Sequence, residues 1–186
     1  MIAGPTLRTE RLILRPWREA DLEPFAALNA DGRVTATLAG SIDRAASDAL
    51  AGRWNASFAE HGFGYWAVEL AGSSTFIGAL GLAVPSFPAH FMPAVEIGWR
   101  LGFDHWGKGY ATEGAKAVLD FGFNQIGLAE IVSFTAKSNV KSRAVMARLG
   151  MHSTPEDDFN HVRLGPDHPL YVHVLYRLRR EEWPPA

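Results

Sequence analysis

The sequence contains no cysteine among its 186 residues. Disulfide bonds, thiolate nucleophiles and cysteine-bound metals are therefore excluded, and a reducing compartment is compatible with this composition. No apolar run approaches the roughly 20 residues that a membrane helix requires. The N-terminal stretch MIAGPTLRTERL also lacks the uninterrupted apolar core of a signal peptide. We therefore expect a cytoplasmic protein that has no membrane partner.

A strong excess of charge is absent as well, because the formal net charge is −2. Such a balance gives no electrostatic reason to expect binding to nucleic acid or to an anionic membrane surface. Hydrophobic residues make up 47% and charged residues 20% of the chain, which is typical of a globular protein. The length fits one domain, spanning residues 1–186, that buries a single sizeable core.

The periodicity of apolar residues predicts the element order β-α-α-β-β-β-α-β-α-β. The predicted strands cover residues 11–17, 64–70, 75–84, 94–101, 130–136 and 171–179. The predicted helices cover residues 18–30, 43–62, 112–126 and 139–150. The segment from Met151 to Pro169 is predicted to be irregular or partly extended. This order, without a linker or an internal repeat, predicts a mixed α/β domain.

The stretch DHWGKGYATEG, residues 104–114, contains three glycines, and two of them, Gly107 and Gly109, lie between a predicted strand and a predicted helix. Unpaired amides and the positive end of the helix dipole favour anions at such a helix start, and glycine lets the backbone approach a phosphate. The spacing is neither that of a P-loop nor that of the dinucleotide fingerprint, because Thr112 stands where the last glycine would be. On its own, the stretch fits an anion site and a tight turn without a ligand equally well.

Two motifs together resemble the GNAT superfamily of acetyl-CoA-dependent N-acetyltransferases. The stretch WGKGYA, residues 106–111, is similar to the family's pyrophosphate loop, and NVKSRAVMARLGM, residues 139–151, is similar to its second cofactor motif. The beginning LRTERLILRPWREADLEPF and the end HVLYRLRREEW look like those of the RimJ/RimL-like branch, which acetylates protein N-terminal amines and related substrates. The resemblance covers residues from about 7 to 183.

This resemblance implies a GNAT fold, in which a twisted, mostly antiparallel sheet is flanked by helices and splayed between the strands 94–101 and 130–136. It also implies that acetyl-CoA, used as a co-substrate without a metal, gives its acetyl group to a primary amine by direct attack in a ternary complex. A protein N-terminal α-amine is the expected acceptor. The alternatives are a small-molecule amine, such as a metabolite or an antibiotic, and a CoA-binding protein without catalysis. A monomer and a homodimer both remain open.

The resemblance also assigns the contacts to the cofactor. The amides of residues 107–112 are expected to wrap the pyrophosphate, and the backbone of residues 99–101 is expected to pair with the peptide-like pantetheine arm. Asn139 would hydrogen-bond this arm from the other side of the cleft. Trp106 stands where the family usually has Arg or Gln, and Lys108 is expected to supply part of the missing charge. The expected cofactor-binding residues are Trp99, Arg100, Leu101, Gly107, Lys108, Gly109, Tyr110, Ala111, Thr112, Asn139 and Ser142, with Tyr110 assigned to the core and not to catalysis.

Glu96 is the expected general base, because it is a lone acid in the apolar run MPAVEIGWRL, where partial burial would raise its pKa. The alternative is a structural carboxylate that an arginine such as Arg100 or Arg15 balances. Ser142 is the expected donor of a proton to the leaving thiolate, since it matches a serine with this role in RimL-like enzymes. Many relatives use a tyrosine where Met146 stands. The alternative for Ser142 is a hydrogen bond to the backbone in the first turn of a helix.

Three histidines, His161, His168 and His173, lie late in the chain, but their spacing matches no metal-binding motif, so no metal is expected. His173 begins the last predicted strand, beside the place where relatives line the acceptor site. It is therefore a candidate substrate contact. The acidic run 156–158 would attract a cationic acceptor, which makes Asp158 a second candidate, although such a run is also typical of a solvated loop.

Overall fold

A computed structural model describes residues 4–38 and 40–184. The strands are β1 (Leu7–Arg8), β2 (Leu12–Arg15), β3 (Tyr65–Leu70), β4 (Phe76–Ala83), β5 (Glu96–Leu101), β6 (Glu130–Ala136), β7 (Phe159–Asn160) and β8 (Val172–Arg179). The helices are α1 (Leu22–Ala30), α2 (Gly32–Thr35), α3 (Arg44–His61), α4 (Tyr110–Asp120) and α5 (Val140–Arg148). A π-helical segment, Phe121–Ile126, extends α4.

The strands form one sheet in the order β1-β2-β3-β4-β5-β6-β8-β7. All neighbouring strands are antiparallel except β5 and β6, which are parallel. The predicted mixed, mostly antiparallel α/β fold is therefore confirmed. Sequence periodicity did not predict β1, β7 or α2, because elements of two to four residues are too short to show a period.

The sheet separates two apolar cores, because side chains alternate between its faces. On the face we call the α4 face, Ile97 and Leu101 of β5 pack in a cluster that includes Val118 of α4 and Met146 of α5. On the opposite face, called the α1 face, one cluster contains Tyr65 together with residues of α1 and α3. A second cluster on the α1 face lies beneath the loop 84–94 and contains Val132 and Leu175. The even-numbered residues of β5 therefore project from the α1 face.

The parallel pairing of β5 with β6 is limited to one register pair, Glu96 with Val132. By contrast, β4 and β5 share six such pairs, and β6 and β8 share seven. The last link between β5 and β6 is a side chain, because Ser133 Oγ donates to the carbonyl of Ile97 at 2.8 Å. Beyond this point the two strands diverge toward the C-terminal end of β5. The splay expected between these two strands is therefore confirmed.

A buried ion network joins β2 and β3 to the turn that precedes α1. Arg15 donates two hydrogen bonds to Asp21, at 2.7 and 2.8 Å, and one to Glu69 at 2.6 Å. The three residues are only 5%, 3% and 4% exposed. The hydrogen bond to Asp21 is the main reason that the pKa of Arg15 is raised above its ordinary value. Arg15 therefore balances Asp21 and Glu69, and the hypothesis that it balances Glu96 is wrong.

We expect Arg15→Met to lower the free energy of unfolding by about 3–5 kcal/mol, because Asp21 would remain buried without a countercharge and Glu69 would be left with the exposed Arg18 at 3.5 Å. Arg44→Met is the matched control, since Arg44 forms an exposed pair with Asp48 at 2.8 Å. The control should change the free energy by no more than about 0.5 kcal/mol. Urea denaturation at pH 7 measures both variants. Equal losses would show that the buried network contributes no special stability.

Candidate active site

A cavity of about 1270 Å³ opens where β5 and β6 diverge. Its walls are the C-terminal end of β5, the following loop, and the first turns of α4 and α5. This volume exceeds the roughly 300–1,000 Å³ of a pocket for a drug-sized ligand. All the predicted cofactor-binding residues line the cavity except Lys108. The structure thus brings together two motifs that are about 30 residues apart in the sequence.

The glycines of the loop are required by backbone conformation. Gly107 and Gly109 have φ angles of +74° and +83°, in the left-handed region that other residues rarely adopt. Gly109 is the N-cap of α4, and no side chain in the described part of the chain caps this helix. The first amides of α4 therefore have neither an intrahelical nor a side-chain acceptor. An anion in the cavity would satisfy them and would lie at the positive end of the helix dipole.

The turn between β1 and β2 holds the glycine loop in place through Glu113 of α4. Thr9 Oγ1 donates to Glu113 Oε1 at 2.6 Å, and the Arg11 guanidinium lies 2.6 Å from Oε2. Arg11 Nη1 also donates to the carbonyl of Lys108 at 3.0 Å. Burial acts to raise the pKa of Glu113, but the hydrogen bonds from Thr9 and Arg11 outweigh it and lower that pKa. Sequence analysis missed this anchor, although Glu113 stands inside the quoted motif.

The cavity carries more positive than negative side chains. Its cationic lining residues are Arg11, Arg100, Lys116, Lys141 and Arg148, and its acidic ones are Glu10 and Glu113. Glu113 is already paired with Arg11. Even without Arg100, which projects from the α1 face, the remaining cations outnumber the acids, and this excess favours a polyanionic ligand. Lys108, which was expected to contribute such a charge, is not among the lining residues.

Trp106 has a structural role at the end of β5. Its Nε1 donates to the carbonyl of Leu101 at 2.8 Å. Lys141 of α5 places its Nζ 4.6 Å from the centroid of the Trp106 ring, across the mouth of the cavity. Lys141 therefore places a positive charge beside the Trp106 ring from the opposite wall. The sequence offered a weak signal for this residue, since Lys141 lies two positions after Asn139.

The backbone of Trp99 faces the gap between the diverging strands. The carbonyls of Ile97 and Leu101 accept side-chain hydrogen bonds on this edge of β5, from Ser133 and Trp106. Because the polar groups of residues i and i+2 point to the same edge of a strand, those of Trp99 point there too. Within residues 4–38 and 40–184, no protein group forms a hydrogen bond with the Trp99 backbone on this edge, between the bonds to Ile97 and Leu101. A peptide-like ligand would pair with it as an added strand.

Asn139 and Ser142 form one hydrogen-bonded unit at the start of α5. The amide of Ser142 donates to Asn139 Oδ1 at 3.2 Å, which makes Asn139 the N-cap. Asn139 Nδ2 donates to Thr135 Oγ1 at 2.9 Å and to Ser142 Oγ at 3.1 Å. In the described part of the chain, Ser142 Oγ donates no hydrogen bond to the backbone. Its proton is therefore available to a group in the cavity.

Glu96 lies on the α1 face at the single pair that joins β5 to β6. It is half-buried, and burial raises its pKa to about 7. Across the described ranges, no hydrogen bond or ion pair reaches its carboxylate; Arg100 donates instead to Asn29 Oδ1 at 2.6 Å. Two residues further along the strand and on the same face, a Cβ on Gly98 would clash with the hydroxyl of Tyr65. Glu96 is not among the residues that line the cavity. It lies three residues before the lining residue Trp99, on the face of the sheet opposite α4.

The two candidate substrate contacts lie outside the cavity. Asp158 forms an ion pair with Lys137 at 3.1 Å in a surface loop. His173 shares the α1 face with Glu96, and its ring centroid lies 4.8 Å from that of His161 and 5.5 Å from that of Phe159. Burial and the neighbouring His161 lower the pKa of His173 to about 4, so its ring is neutral at physiological pH. His173 is thus part of an aromatic cluster.

Among the described residues, no group of three histidine, aspartate or glutamate side chains is arranged to hold a metal ion. None of the helices there is both long enough and apolar enough to span a bilayer.

We expect Gly109→Val to weaken the binding of acetyl-CoA by roughly 10–100-fold, because a Cβ and an altered φ would displace amides that hydrogen-bond a charged group. Gly72→Val is the matched control, since Gly72 has a φ of +89° and open space around it. Both variants carry a similar backbone strain, but only the first alters the cavity. Isothermal titration measures the affinity. Wild-type affinity in a folded Gly109→Val protein would overturn the assignment of the phosphate site.

A second substitution separates the two functions assigned to Asn139. Asn139→Ala should lower the free energy of unfolding by about 1 kcal/mol through loss of the N-cap. It should also raise the KM for acetyl-CoA roughly 5–100-fold, as expected for one lost hydrogen bond. Asn139→Asp keeps the capping acceptor and loses the amide donors, so it should restore stability alone. Thermal melts and initial rates measure these effects; a normal KM with a lost kcat would indicate a chemical role.

Comparison with known proteins agrees with this geometry. Residues 11–152 match the family described as Acetyltransferase (GNAT) domain. The chain is 35% identical to the FsC-acetyl coenzyme A-N(2)-transacetylase of Aspergillus fumigatus over 188 residues, which cover 97% of this chain and 79% of the relative. It is similar to the crystal structure of an acetyltransferase from Agrobacterium tumefaciens, with 31% identity, a TM-score of 0.78 and 96% of each chain covered.

A further solved structure shares the fold at lower identity. RimJ of Mycobacterium smegmatis, in complex with CoA-disulfide, is 22% identical, with a TM-score of 0.75 and coverage of 99% of this chain and 90% of that one. The domain match covers most of the chain, and the Aspergillus relative extends over nearly all of it. The protein therefore belongs to the GNAT acetyltransferase family, as an enzyme that transfers an acetyl group from acetyl-CoA to an amine.

Proposed function

We propose that this acetyltransferase acts on an α-amine, in the first place a protein N-terminus, and that Glu96 accepts the proton of that amine. The observation that carries the proposal is the half-buried carboxylate of Glu96, which has no partner among the described residues and stands where β5 and β6 part. A carboxylate with a pKa of about 7 is half protonated at neutral pH, which is close to the optimum for a general base.

The proposed reaction uses both faces of the sheet. The amides of Gly109 and the first turn of α4 hold the pyrophosphate, and the Trp99 backbone holds the pantetheine arm. The amine nitrogen attacks the thioester carbonyl, the C–N bond forms and the C–S bond breaks. Glu96 takes the amine proton, directly or through water, and Ser142 Oγ gives a proton to the thiolate before solvent restores it. The Asn139 side chain supports this role, because its donation to Ser142 Oγ leaves the hydroxyl proton free.

The pKa of Glu96 favours an α-amine over a lysine side chain. A free α-amine has a reference pKa of about 7.7–8.0, whereas that of lysine is about 10.4. A base with a pKa of about 7 therefore matches the pKa of an α-amine closely and that of a lysine side chain poorly. The terminal segments that resemble the RimJ/RimL-like branch support a protein N-terminus as acceptor. We also propose that the enzyme works in the cytoplasm, as a monomer or a homodimer, with acetyl-CoA and the amine as its partners.

A small-molecule amine is the second candidate acceptor. The Aspergillus relative, which covers nearly all of the chain, is named for a nitrogen, N(2), of an acceptor called FsC. Incubation with acetyl-CoA and a panel of peptides, amino-acid derivatives and polyamines, followed by release of free thiol, decides between the candidates. Turnover of peptides with kcat/KM above that of every small amine supports the first candidate. The reverse order supports the second, and binding of acetyl-CoA without any turnover would indicate a non-catalytic protein.

We expect Glu96→Gln to slow acetyl transfer by roughly 10²–10⁴-fold at pH 7, with unchanged affinity for acetyl-CoA. In the wild type, kcat should rise with pH through a midpoint near 7, because the carboxylate must be ionised to accept a proton. The variant should lack this limb, and its deficit should shrink above pH 8, where an α-amine is already neutral. The pH dependence of kcat between pH 5.5 and 9 measures both effects.

Stability provides the control for this substitution. The folded-state pKa of Glu96 is raised from 4.5 to about 7, so the folded state binds more protons than the unfolded state between these values. The stability of the wild type should therefore fall as pH rises through that window. Glu96→Gln should remove this loss and melt no earlier than the wild type at pH 8. Earlier melting with normal kcat would assign Glu96 a structural role instead.

A further inference from the structure

We propose that Arg100 binds a carboxylate of the acceptor, so that the substrate carries its amine near Glu96 and an acidic group near Arg100. This inference rests on the proposed function, because it takes the α1 face of β5 as the acceptor side. It goes beyond that proposal by naming a chemical class: amines that bear a carboxylate. For a protein acceptor, the carboxylate would belong to one of the first residues of the chain.

The starting observation is a half-buried arginine without a counterion. Arg100 lines the cavity, and its Nη1 donates to Asn29 Oδ1 at 2.6 Å. Across residues 4–38 and 40–184, no carboxylate lies within 4 Å of its guanidinium. A guanidinium has five N–H donors and remains protonated in proteins. Most of its donors therefore face a ligand or water.

Arg15 shows how this protein treats a buried arginine that serves structure alone. Its guanidinium is bound by two carboxylates, Asp21 and Glu69, which also lie in the core. Among the described residues, Arg100 has only the neutral Asn29 amide as hydrogen-bond partner. Burial correspondingly lowers the pKa of Arg100 below its ordinary value. An unbalanced cation in a protein cavity is costly, and an anionic ligand would remove that cost.

The position of the guanidinium is fixed by a buried relay. Asn29 of α1 accepts from Arg100 and donates through Nδ2 to Ser47 Oγ of α3 at 2.9 Å. Asn29 and Ser47 are both completely buried. The guanidinium also lies 5.7 Å from the ring centroid of Trp54, which restricts it from a second side. This arrangement orients an arginine for recognition, since the guanidinium fork matches the two oxygens of a carboxylate.

The geometry separates Arg100 from the phosphate site. The phosphate-binding amides begin α4, which packs on the α4 face together with Ile97 and Leu101. Arg100 is an even-numbered residue of β5 and projects from the α1 face, as Glu96 does. Four residues of strand place their Cα atoms roughly 13 Å apart. Between them the hydroxyl of Tyr65 fills the space over Gly98, where a Cβ would clash with it, so a ligand that reaches both groups would run alongside this hydroxyl.

The anion is a carboxylate of the acceptor and not a phosphate, for a reason of charge. The other arginines near α1 are already paired, since Arg15 binds two acids and Arg33 binds Asp31 at 2.6 Å. Arg100 therefore offers one unbalanced positive charge. A group with a single negative charge neutralises it, whereas a phosphate of higher charge would remain partly unbalanced at this partly buried position.

The test uses three pairs of acceptors in which a carboxylate is replaced by a carboxamide: alanine and alaninamide, glutamic acid α-amide and glutaminamide, and a peptide with Glu or Gln at its second position. Because an adjacent carboxylate also raises the pKa of the amine, kcat/KM is compared for the neutral amine in each pair. The pairs place the carboxylate at increasing distances from the amine. We expect kcat/KM of at least one carboxylate member to exceed that of its amide by roughly 10–100-fold, as for a charge-assisted hydrogen bond. Equal values within all three pairs would overturn the proposal without any variant.

Variants then assign the preference to one residue. Arg100→Gln should abolish the preference and leave the affinity for coenzyme A within about threefold of wild type, while Arg100→Lys should restore part of it. Arg148→Gln is the matched control, because Arg148 lines the cofactor side of the same cavity. It should leave the acceptor preference unchanged. A preference that survives Arg100→Gln, or a loss confined to coenzyme A binding, would overturn the assignment.

A separate binding experiment distinguishes failure of this inference from failure of the proposed function. Each acceptor is titrated calorimetrically into the wild type and Arg100→Gln in the presence of coenzyme A, which requires no turnover. Binding of a carboxylate member that depends on Arg100 would support the inference even if no amine were acetylated. Acetylation that depends on Glu96, with no carboxylate preference in rate or binding, would leave the proposed function intact and reject the inference.

Discussion

The arrangement of this enzyme depends on the early end of one parallel strand pairing. After Glu96 and Val132, β5 and β6 no longer share a ladder, and buried backbone groups must find other partners. Ser133 and Trp106 satisfy the carbonyls on either side of Trp99. The Trp99 backbone between them is left for a ligand that resembles a strand. A full β5–β6 ladder would close the sheet and remove the cavity, so this gap in secondary structure is the site itself.

The same interruption gives the two substrates separate approaches. Strand alternation directs Ile97 and Leu101 toward α4, whose open N-terminus suits phosphates. It directs Glu96 and Arg100 toward the opposite face. In the proposed reaction, the phosphates of the cofactor and the carboxylate of Glu96 therefore approach one strand from opposite faces of the sheet. This separation lets Glu96 keep a raised pKa near a cavity whose lining has more cationic than acidic side chains.

Local patterns in the sequence were sufficient to predict the long helices and strands and the glycine loop. Helix α3 begins after Asp43 and ends at Gly62 as its periodicity and C-terminal glycine predicted, because both signals are local. The contacts that define the site are not local. Arg11 and Glu113 are 102 residues apart, and Arg100 meets Asn29 across 71 residues. Such pairs depend on the strand order, which composition and spacing do not encode. For the same reason, the sequence alone could not show that Arg15 pairs with Asp21 and Glu69 and not with Glu96.

The protein treats buried charge in two opposite ways, and the contrast separates structure from function. In the network of Arg15, every charge has a counterion, and the group stabilises the junction of β2 and β3. Glu96 and Arg100 project from the same face of one strand without an ion-pair partner in the described chain, which costs stability. A carboxylate and a guanidinium left in this state have capacity for a proton and an anion, respectively. The proposed acceptor side uses that capacity, and a fully paired site would lack it.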